Sequence, residues 1–350
     1  MITTEEMRQR ELEDSRALWQ TCFPNDSTEF LDLYFREKYD PSVNLIHYVD
    51  GRPAAVMQLL PYRLLCFGQT VNVGYVSGLC THPDFRGKGL AKLLLDKAHR
   101  RLYEQGAVFS LLIPGSDDLR RFYTKPSHGA YATISYRKEE SWLPTGNAYL
   151  AYSISPIAPY DADVFVLHQQ LDLRTDKALL SSFSDWKVAI ATCQLEGGQA
   201  LVARRKGKPA GIALAVKESD GRVVLRDFLA KRPGAKGALI QFLSEHYDVP
   251  IIYDRAPCRS TQPEAQPYLM MRIVNMQKFV QLFYQPTLFS SFEAQIKDDL
   301  SIPENNGTWI YTNNQVLHNP TMTANALSPA NFLTNYWPNL KISVRNLLDE

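Results

Sequence analysis

No stretch of the 350 residues comes near the roughly 18 consecutive apolar positions that a helix needs to cross a bilayer. The first residues, Met1 to Asp14, are polar and acidic and carry no apolar signal segment, so export and membrane insertion are not expected and a cytoplasmic location is. Charge of one sign is also missing. Lys plus Arg (38) nearly cancels Asp plus Glu (37), so no global field draws the chain to nucleic acid or to an anionic membrane, and neither is an expected partner. The five cysteines, Cys22, Cys66, Cys80, Cys193 and Cys258, are scattered, with no C-x-x-C pair and no histidine at ligand spacing beside them. That argues against a disulfide framework and a structural metal, and for reduced thiols. Glycine (18) and proline (21) are too few for a low-complexity chain, and 45% apolar with 21% charged residues is ordinary for a globular protein.

At this length more than one domain is expected. Glu11 to Phe23 and Ser27 to Tyr39 carry apolar residues at helical spacing, with capping side chains at Asn25-Asp26-Ser27 between them, and a short N-terminal strand is expected before them. Asn44 to Val49, Ala54 to Leu60 and Thr70 to Cys80 read as an antiparallel meander with turns at Asp50-Gly51 and Phe67-Gly68-Gln69. Leu90 to Tyr103 is a predicted helix ending near Gly106, followed by a strand at Val108 to Ile113 and a helical turn opened by Asp117-Asp118. Strand, glycine turn, helix and strand make a βαβ unit, whose two strands should be parallel. A second block repeats this order more weakly. Gly207-Lys208-Pro209-Ala210 echoes Gly51-Arg52-Pro53-Ala54, and Arg222 to Ala230 leads through a glycine turn at Arg232 to Gly237 into a helix at Ala238 to Tyr247. Pro250, Pro257, Pro263 and Pro267 read as an irregular boundary unsuited to a central strand. Beyond it, helices at Met276 to Phe283 and Ser328-Pro329 to Tyr336 flank a strand at Gly307 to Tyr311, the pattern of a small α+β module.

The chemistry concentrates in Val76-Ser77-Gly78-Leu79-Cys80-Thr81-His82-Pro83-Asp84-Phe85-Arg86-Gly87-Lys88-Gly89-Leu90-Ala91, a strand delivered through a glycine turn into a helix. Unpaired N–H groups and the positive end of the helix dipole sit at such a start, and Gly87 and Gly89 let the backbone close on a pyrophosphate. Arg86, Lys88 and Lys92 can add charge, although basic side chains in a loop are usually just solvated. Neither the Walker A spacing nor G-x-G-x-x-G occurs here. Cys80 beside the turn could be a nucleophile or a small buried hydrophobe, the commoner fate of a free cysteine.

The pattern Arg86-x-x-Gly89-x-Ala91 after a strand ending in Thr-His-Pro resembles the central motif of the GNAT acetyltransferase superfamily. The run Leu60-Pro61-Tyr62-Arg63-Leu64 to Phe67-Gly68-Gln69, then Val73 to Val76, is similar to the enhanced-intracellular-survival (Eis) acetyltransferases. The resemblance is specific over roughly residues 45 to 130. It implies an α/β (α+β) chain: a GNAT fold with a mixed central sheet at 1–145, a degenerate GNAT-like domain at 146–265, and a small sterol-carrier-like α+β domain at 266–350. It further implies transfer of acetyl from acetyl-CoA, a co-substrate, to a primary amine by direct attack, without metal. The backbone of Arg86, Gly87, Lys88, Gly89, Leu90 and Ala91 would take the pyrophosphate, and Leu79, Cys80 and Thr81 would pair with the pantetheine like an added strand. Tyr123, after Phe122, would be the general acid. The family can use its own C-terminal carboxylate as base, here Glu350, although the chain end also reads as an ordinary acidic helix end. Self-assembly into a homo-oligomer is a further implication.

The residue types suit that chemistry. The amine attacks the thioester directly, so the protein has to align two bound reactants, stabilise an oxyanion, take one proton and return one to sulfur. A phenol, with a reference pKa of about 10, is protonated at neutral pH and can supply that last proton. His82 and His128 are further candidates near the site, His82 also as a shaper of the turn before Pro83. The loop Thr124 to Ala130 is bulkier than the compact end usual in the family, so the acceptor, a small-molecule amine or a lysine side chain, cannot be carried over. A non-catalytic acyl-CoA-binding protein is the competing reading. Pro233 removes an N–H from the corresponding turn of the second block, which is therefore not expected to bind acetyl-CoA.

Overall fold

The computed structural model describes residues 4–66, 68–144, 151–158, 160–175, 177–283, 291–312, 315–322 and 325–336. Helices α1 (Thr4–Cys22) and α2 (Thr28–Glu37) come first. The expected N-terminal strand would fall on residues 1–3, outside the described residues. Instead α1 already begins at Thr4, where Glu5 and Glu6 in the first turn favour the helix dipole. Its added turns are exposed, so apolar periodicity had no hold on them. Ser27 caps α2 by accepting a hydrogen bond from the Phe30 N–H at 3.1 Å.

The antiparallel meander forms from β1 (Asn44–Val49), β2 (Arg52–Cys66) and β3 (Gln69–Thr81). Asp50 and Gly51 both take positive φ (50° and 75°), which a tight two-residue hairpin turn demands. After β3 come α3 (Leu90–Glu104), β4 (Phe109–Leu112), α4 (Asp117–Thr124) and the short β5 (Ala132–Thr133). β4 runs parallel to β3, as the βαβ reading requires. α3 buries Leu94, Leu95, Ala98 and Leu102 against one sheet face, while α1 and α2 place Leu18, Trp19, Tyr34 and Phe35 on the other. Each such leucine or phenylalanine contributes roughly 1.5–3 kcal/mol of burial.

β6 (Tyr136–Trp142) ends the first half, and the second contains β7 (Ser153–Pro156), α5 (Ala162–Asp172), β8 (Lys177–Leu180), α6 (Phe183–Leu195), β9 (Gln199–Arg205), β10 (Lys208–Lys217), β11 (Val223–Ala230), α7 (Pro233–Tyr247), β12 (Ile252–Cys258) and β13 (Gln266–Pro267). β9-β10-β11-α7-β12 repeats the directions of β1-β2-β3-α3-β4, including a parallel pair at the end. Two local expectations change. The glycine turn at Arg232 to Gly237 is helix instead, because Pro233 at the first helical position starts α7 early. The proline-marked stretch contains β12, an inner strand. Pro257 fits because pairing with β11 ends at Asp254, leaving only the β6 side to be bonded further along.

β14 (Met270–Ile273), α8 (Met276–Phe283), β15 (Ser291–Ile296), β16 (Gly307–Thr312), β17 (Gln315–Asn319) and α9 (Pro329–Tyr336) complete the chain's described elements. The first sheet has the order β1-β2-β3-β4-β14-β5, with β8 also on β2, and the second β13-β6-β12-β11-β10-β9-β7. The halves therefore exchange strands. β6 leaves the first half to lie between β12 and β13, and β14 leaves the second to lie between β4 and β5. Each exchange gives a sheet edge a strand partner from a distant part of the chain. β15-β16-β17 form a separate antiparallel sheet.

Gly78 has φ +59°, and a Cβ there would come within 2.1 Å of the Trp19 ring. Gly78→Ala should therefore lower stability by about 2–4 kcal/mol, read as a reduced urea midpoint with an unchanged slope.

Candidate active site

β3 and β4 pair only from Val73 to Tyr75, yet β3 continues to Thr81. Beyond the last of those pairs β3 has a bulge, where Gly78 and Leu79 together face Met57 of β2 between the pairs Gln58↔Ser77 and Val56↔Cys80. A bulge with its glycine in the left-handed region turns the strand more sharply than regular pairing allows. Past it, no strand pairs with Leu79, Cys80 and Thr81 on the β4 side among the described residues. The Thr81 carbonyl accepts a hydrogen bond from Arg86 Nε at 3.2 Å.

The loop after β3 is built around Phe85, which is buried, with Arg52 and Lys88 over its ring at 5.1 and 5.0 Å. Arg52 also pairs with Asp84 at 3.0 Å. His82 shapes the turn: its N–H bonds to the Ala54 carbonyl at 2.9 Å and its Nδ1 accepts the Asp84 N–H at 3.2 Å. Arg86, Gly87, Lys88 and Gly89 are exposed, and Leu90 and Ala91 half-buried. Gly87 and Gly89 take φ of +75° and +77°, and nothing lies within 4 Å of where their Cβ atoms would be. Glycine is thus demanded here by backbone conformation, and the space above the backbone is open. Gly89 is also the N-cap of α3, so no side chain caps that helix and its first N–H groups face the same space. An open, glycine-lined, cation-flanked helix start fits a diphosphate.

Tyr123 comes from α4, whose start is set by Ser116 accepting the Leu119 N–H at 3.2 Å. Its side chain is buried in the apolar cluster that also receives Leu79 and Leu90. One cluster therefore joins the parted strand, the loop's helix and the tyrosine. The Tyr123 carbonyl accepts the Tyr131 N–H at 3.0 Å, and the two rings meet edge to face at 6.0 Å. Thr124 to Ala130 turns sharply through Gly129 (φ +114°), where a Cβ would press on Tyr131 at 2.8 Å and His99 at 3.3 Å. Burial, then the charge of Lys125, pushes the pKa of His128 down. Glu350 lies outside the described residues.

Behind Tyr123 lies a buried polar chain that sequence reading did not find. Arg272 of β14, 1% exposed, pairs with Asp299 and donates from one nitrogen to the Gly129 carbonyl (2.8 Å) and to His99 Nδ1 (3.3 Å). A guanidinium can only donate, so Nδ1 accepts and the His99 proton sits on Nε2. Nε2 then donates to the Tyr131 hydroxyl (2.9 Å), which is hydrogen-bonded to the Ser110 hydroxyl of β4 (2.6 Å). Burial, then the Arg272 charge, holds the His99 pKa well below the usual value. Burial raises Tyr131 to about 12. The only sequence signal was a set of polar residues at apolar positions of α3, β4 and β14, and their partners lie up to 202 positions away, as in His99 and Ser301.

A neutral buried histidine links stability to pH. Below about 6.5 the unfolded chain binds a proton that folded His99 refuses, so stability should fall as pH drops from 7.5 to 5. His99→Gln should flatten that slope in urea titrations, even if it lowers stability at pH 7.5.

The second half lacks an equivalent open turn. Pro233 occupies the first turn of α7, and a Cβ on Gly234 would meet the Tyr152 hydroxyl at 3.3 Å, so a ring covers the helix start. Among the described residues, no cluster of three or more His, Cys, Asp or Glu is arranged to hold a metal, and no helix is long and apolar enough to cross a membrane.

Residues 3–125 match the family model described as an acetyltransferase (GNAT) domain. Over most of its length the chain is similar to three solved structures. A GCN5-related N-acetyltransferase from Anabaena variabilis has a TM-score of 0.69 at 19% identity, covering 91% of this chain and 84% of that one. Eis1 from Mycobacterium abscessus has a TM-score of 0.69 at 12% identity, covering 94% and 87%. A GCN5-related N-acetyltransferase from Kribbella flavida has a TM-score of 0.68 at 16% identity, covering 96% and 88%. The chain thus has the mixed-sheet fold of GNAT proteins, including an Eis protein, and its residues 3–125 match the GNAT acetyltransferase domain.

Proposed function

We propose that this chain is an N-acetyltransferase that moves acetyl from acetyl-CoA to a primary amine of a small molecule or a lysine side chain, in a ternary complex. The observation that carries this reading is the convergence of three parts on one cluster: the parted edge of β3, the open Gly87–Gly89 helix start, and buried Tyr123. The GNAT domain match supports acyl transfer from an acyl-CoA in general. The choice of acetyl and the identity of the amine belong to the proposal.

In this mechanism Arg86 through Ala91 hold the diphosphate on backbone N–H groups, with Arg86 and Lys88 adding charge. Leu79 to Thr81 offer the strand edge to the pantetheine amides. The amine nitrogen attacks the thioester carbonyl, an oxyanion forms, and the C–S bond breaks. Tyr123 gives its phenolic proton to the leaving sulfur, and the ammonium proton leaves to a base, for which Glu350 is our assignment, or to water. Burial protects the bond-breaking step from hydrolysis. In the same proposal residues 146–265 are a degenerate GNAT-like domain that does not bind acetyl-CoA, since Pro233 and Tyr152 obstruct its helix start, and residues 266–350 a sterol-carrier-like domain. We further assign the protein to the cytoplasm, as a homo-oligomer.

Thiol release from acetyl-CoA across a panel of amines tests the activity, and thermal shift with acetyl-CoA tests the site. Gly89→Glu should abolish the shift by straining the backbone and placing a carboxylate at the anion site. Tyr123→Phe should keep binding and lower kcat by about 10²–10⁴-fold. Unchanged turnover in Tyr123→Phe would remove the tyrosine from the mechanism, and release with no amine would overturn the reading as an enzyme.

A further inference from the structure

Two thiols meet where α1 ends against β3. Cys22 is the last residue of α1, and Cys80 Sγ lies 3.9 Å from the carbonyl of Leu18, one turn earlier on that helix. A helical carbonyl points toward the residue four positions on, so this sulfur sits beside Cys22. The two side chains share a small cluster with Leu18 and Val56, and Cys80 and Arg86 both draw the Cys22 thiol toward its charged form. Three groups from distant parts of the chain thus converge at the entrance to the glycine loop.

Their surroundings single out Cys22. Cys66 and Cys193 are buried, and burial pushes both thiols up to about 12. Cys22 is partly exposed and drawn down to about 7, first by the Cys80 hydrogen bond and then by the charge of Arg86, against the effect of burial. A thiolate is the nucleophilic form, so a thiol drawn down toward neutral pH and partly exposed is the better nucleophile of the three.

We propose that Cys22 and Cys80 are a modification site, a dithiol that a peroxide converts to a disulfide directly beside the acyl-CoA loop. The Cys22 thiolate attacks a peroxide oxygen, the O–O bond breaks, and the departing hydroxide takes a proton to become water, leaving a sulfenic acid. Cys80 then attacks the Cys22 sulfur and gives up its proton, the S–S bond forms, and a second water leaves. Two thiols lose two electrons, and one peroxide gains them. For its connection to the coenzyme the proposal rests on the reading that Arg86 faces the diphosphate. Arg86 then serves the thiolate and the diphosphate in competition, so acetyl-CoA slows oxidation of Cys22, and removing the thiolate strengthens acetyl-CoA binding.

The test exposes the reduced full chain to hydrogen peroxide at pH 7, with and without acetyl-CoA, followed by non-reducing peptide mass mapping. A Cys22–Cys80 cross-link is expected. With Cys80→Ser, dimedone should trap the Cys22 sulfenic acid, and with Cys22→Ser, Cys80 should stay reduced at the same dose. For partly solvated charges, acetyl-CoA should slow the oxidation about two- to fourfold. Reaction of Cys22 no faster than of Cys66 or Cys193 overturns the proposal, as does a cross-link elsewhere. A parallel thermal shift separates the two layers. If acetyl-CoA does not bind, the coenzyme reading falls while the cross-link stands; if it binds without slowing oxidation, the competition for Arg86 is overturned.

Discussion

Reciprocal strand exchange is the constraint on which the rest of the structure depends. Each half stops one strand short of closing its sheet on the β4 or β12 side, and each takes the missing strand from the other. An unpaired inner edge would leave a row of backbone donors and acceptors buried without partners, so neither sheet is complete without both halves. The exchange also carries side chains. β14 brings Arg272 under the tyrosine-bearing loop, where it holds the Gly129 carbonyl and orients His99. Removing one partner of a buried ion pair such as Arg272 with Asp299 typically costs about 3–5 kcal/mol, so this anchor is hard to vary.

The first half solves two opposed problems at once. β3 runs on past its last pair with β4, and the Gly78 bulge turns that extension at one point. Trp19 packs where a Gly78 side chain would be, which locks the bulge from the other face of the sheet. Glycine acts differently two turns later, at Gly87 and Gly89, where the surroundings are empty and only the positive φ requires it. The ion pair of Lys38 with Asp185, shared with the Tyr62 hydroxyl, adds a polar tie between α2, β2 and α6. Burial, then the neighbouring carboxylate, holds that phenol well above its usual value.

Local order was legible wherever one period dominated. The β1 to β3 meander, α3 with its glycine end, and the turn into the Arg86–Ala91 loop could all be read from apolar spacing and glycine placement. Where two local signals competed, the reading slipped. Pro233 starts α7 inside a run that carries glycines, and Pro257 sits in an inner strand that is paired on one side only at that residue. Exposed polar helix gives no periodicity, which hid the first turns of α1.

What the sequence determined by itself was the kind of element wherever one local signal dominated and the glycine pattern of one loop, because both depend on neighbours a few residues apart. What only the tertiary structure decided was which half completes which sheet, the Arg272–His99–Tyr131–Ser110 chain, and the meeting of Cys22, Cys80 and Arg86. Those depend on contacts between residues tens to hundreds of positions apart, and hydrophobic patterning says that such residues are buried without saying against what.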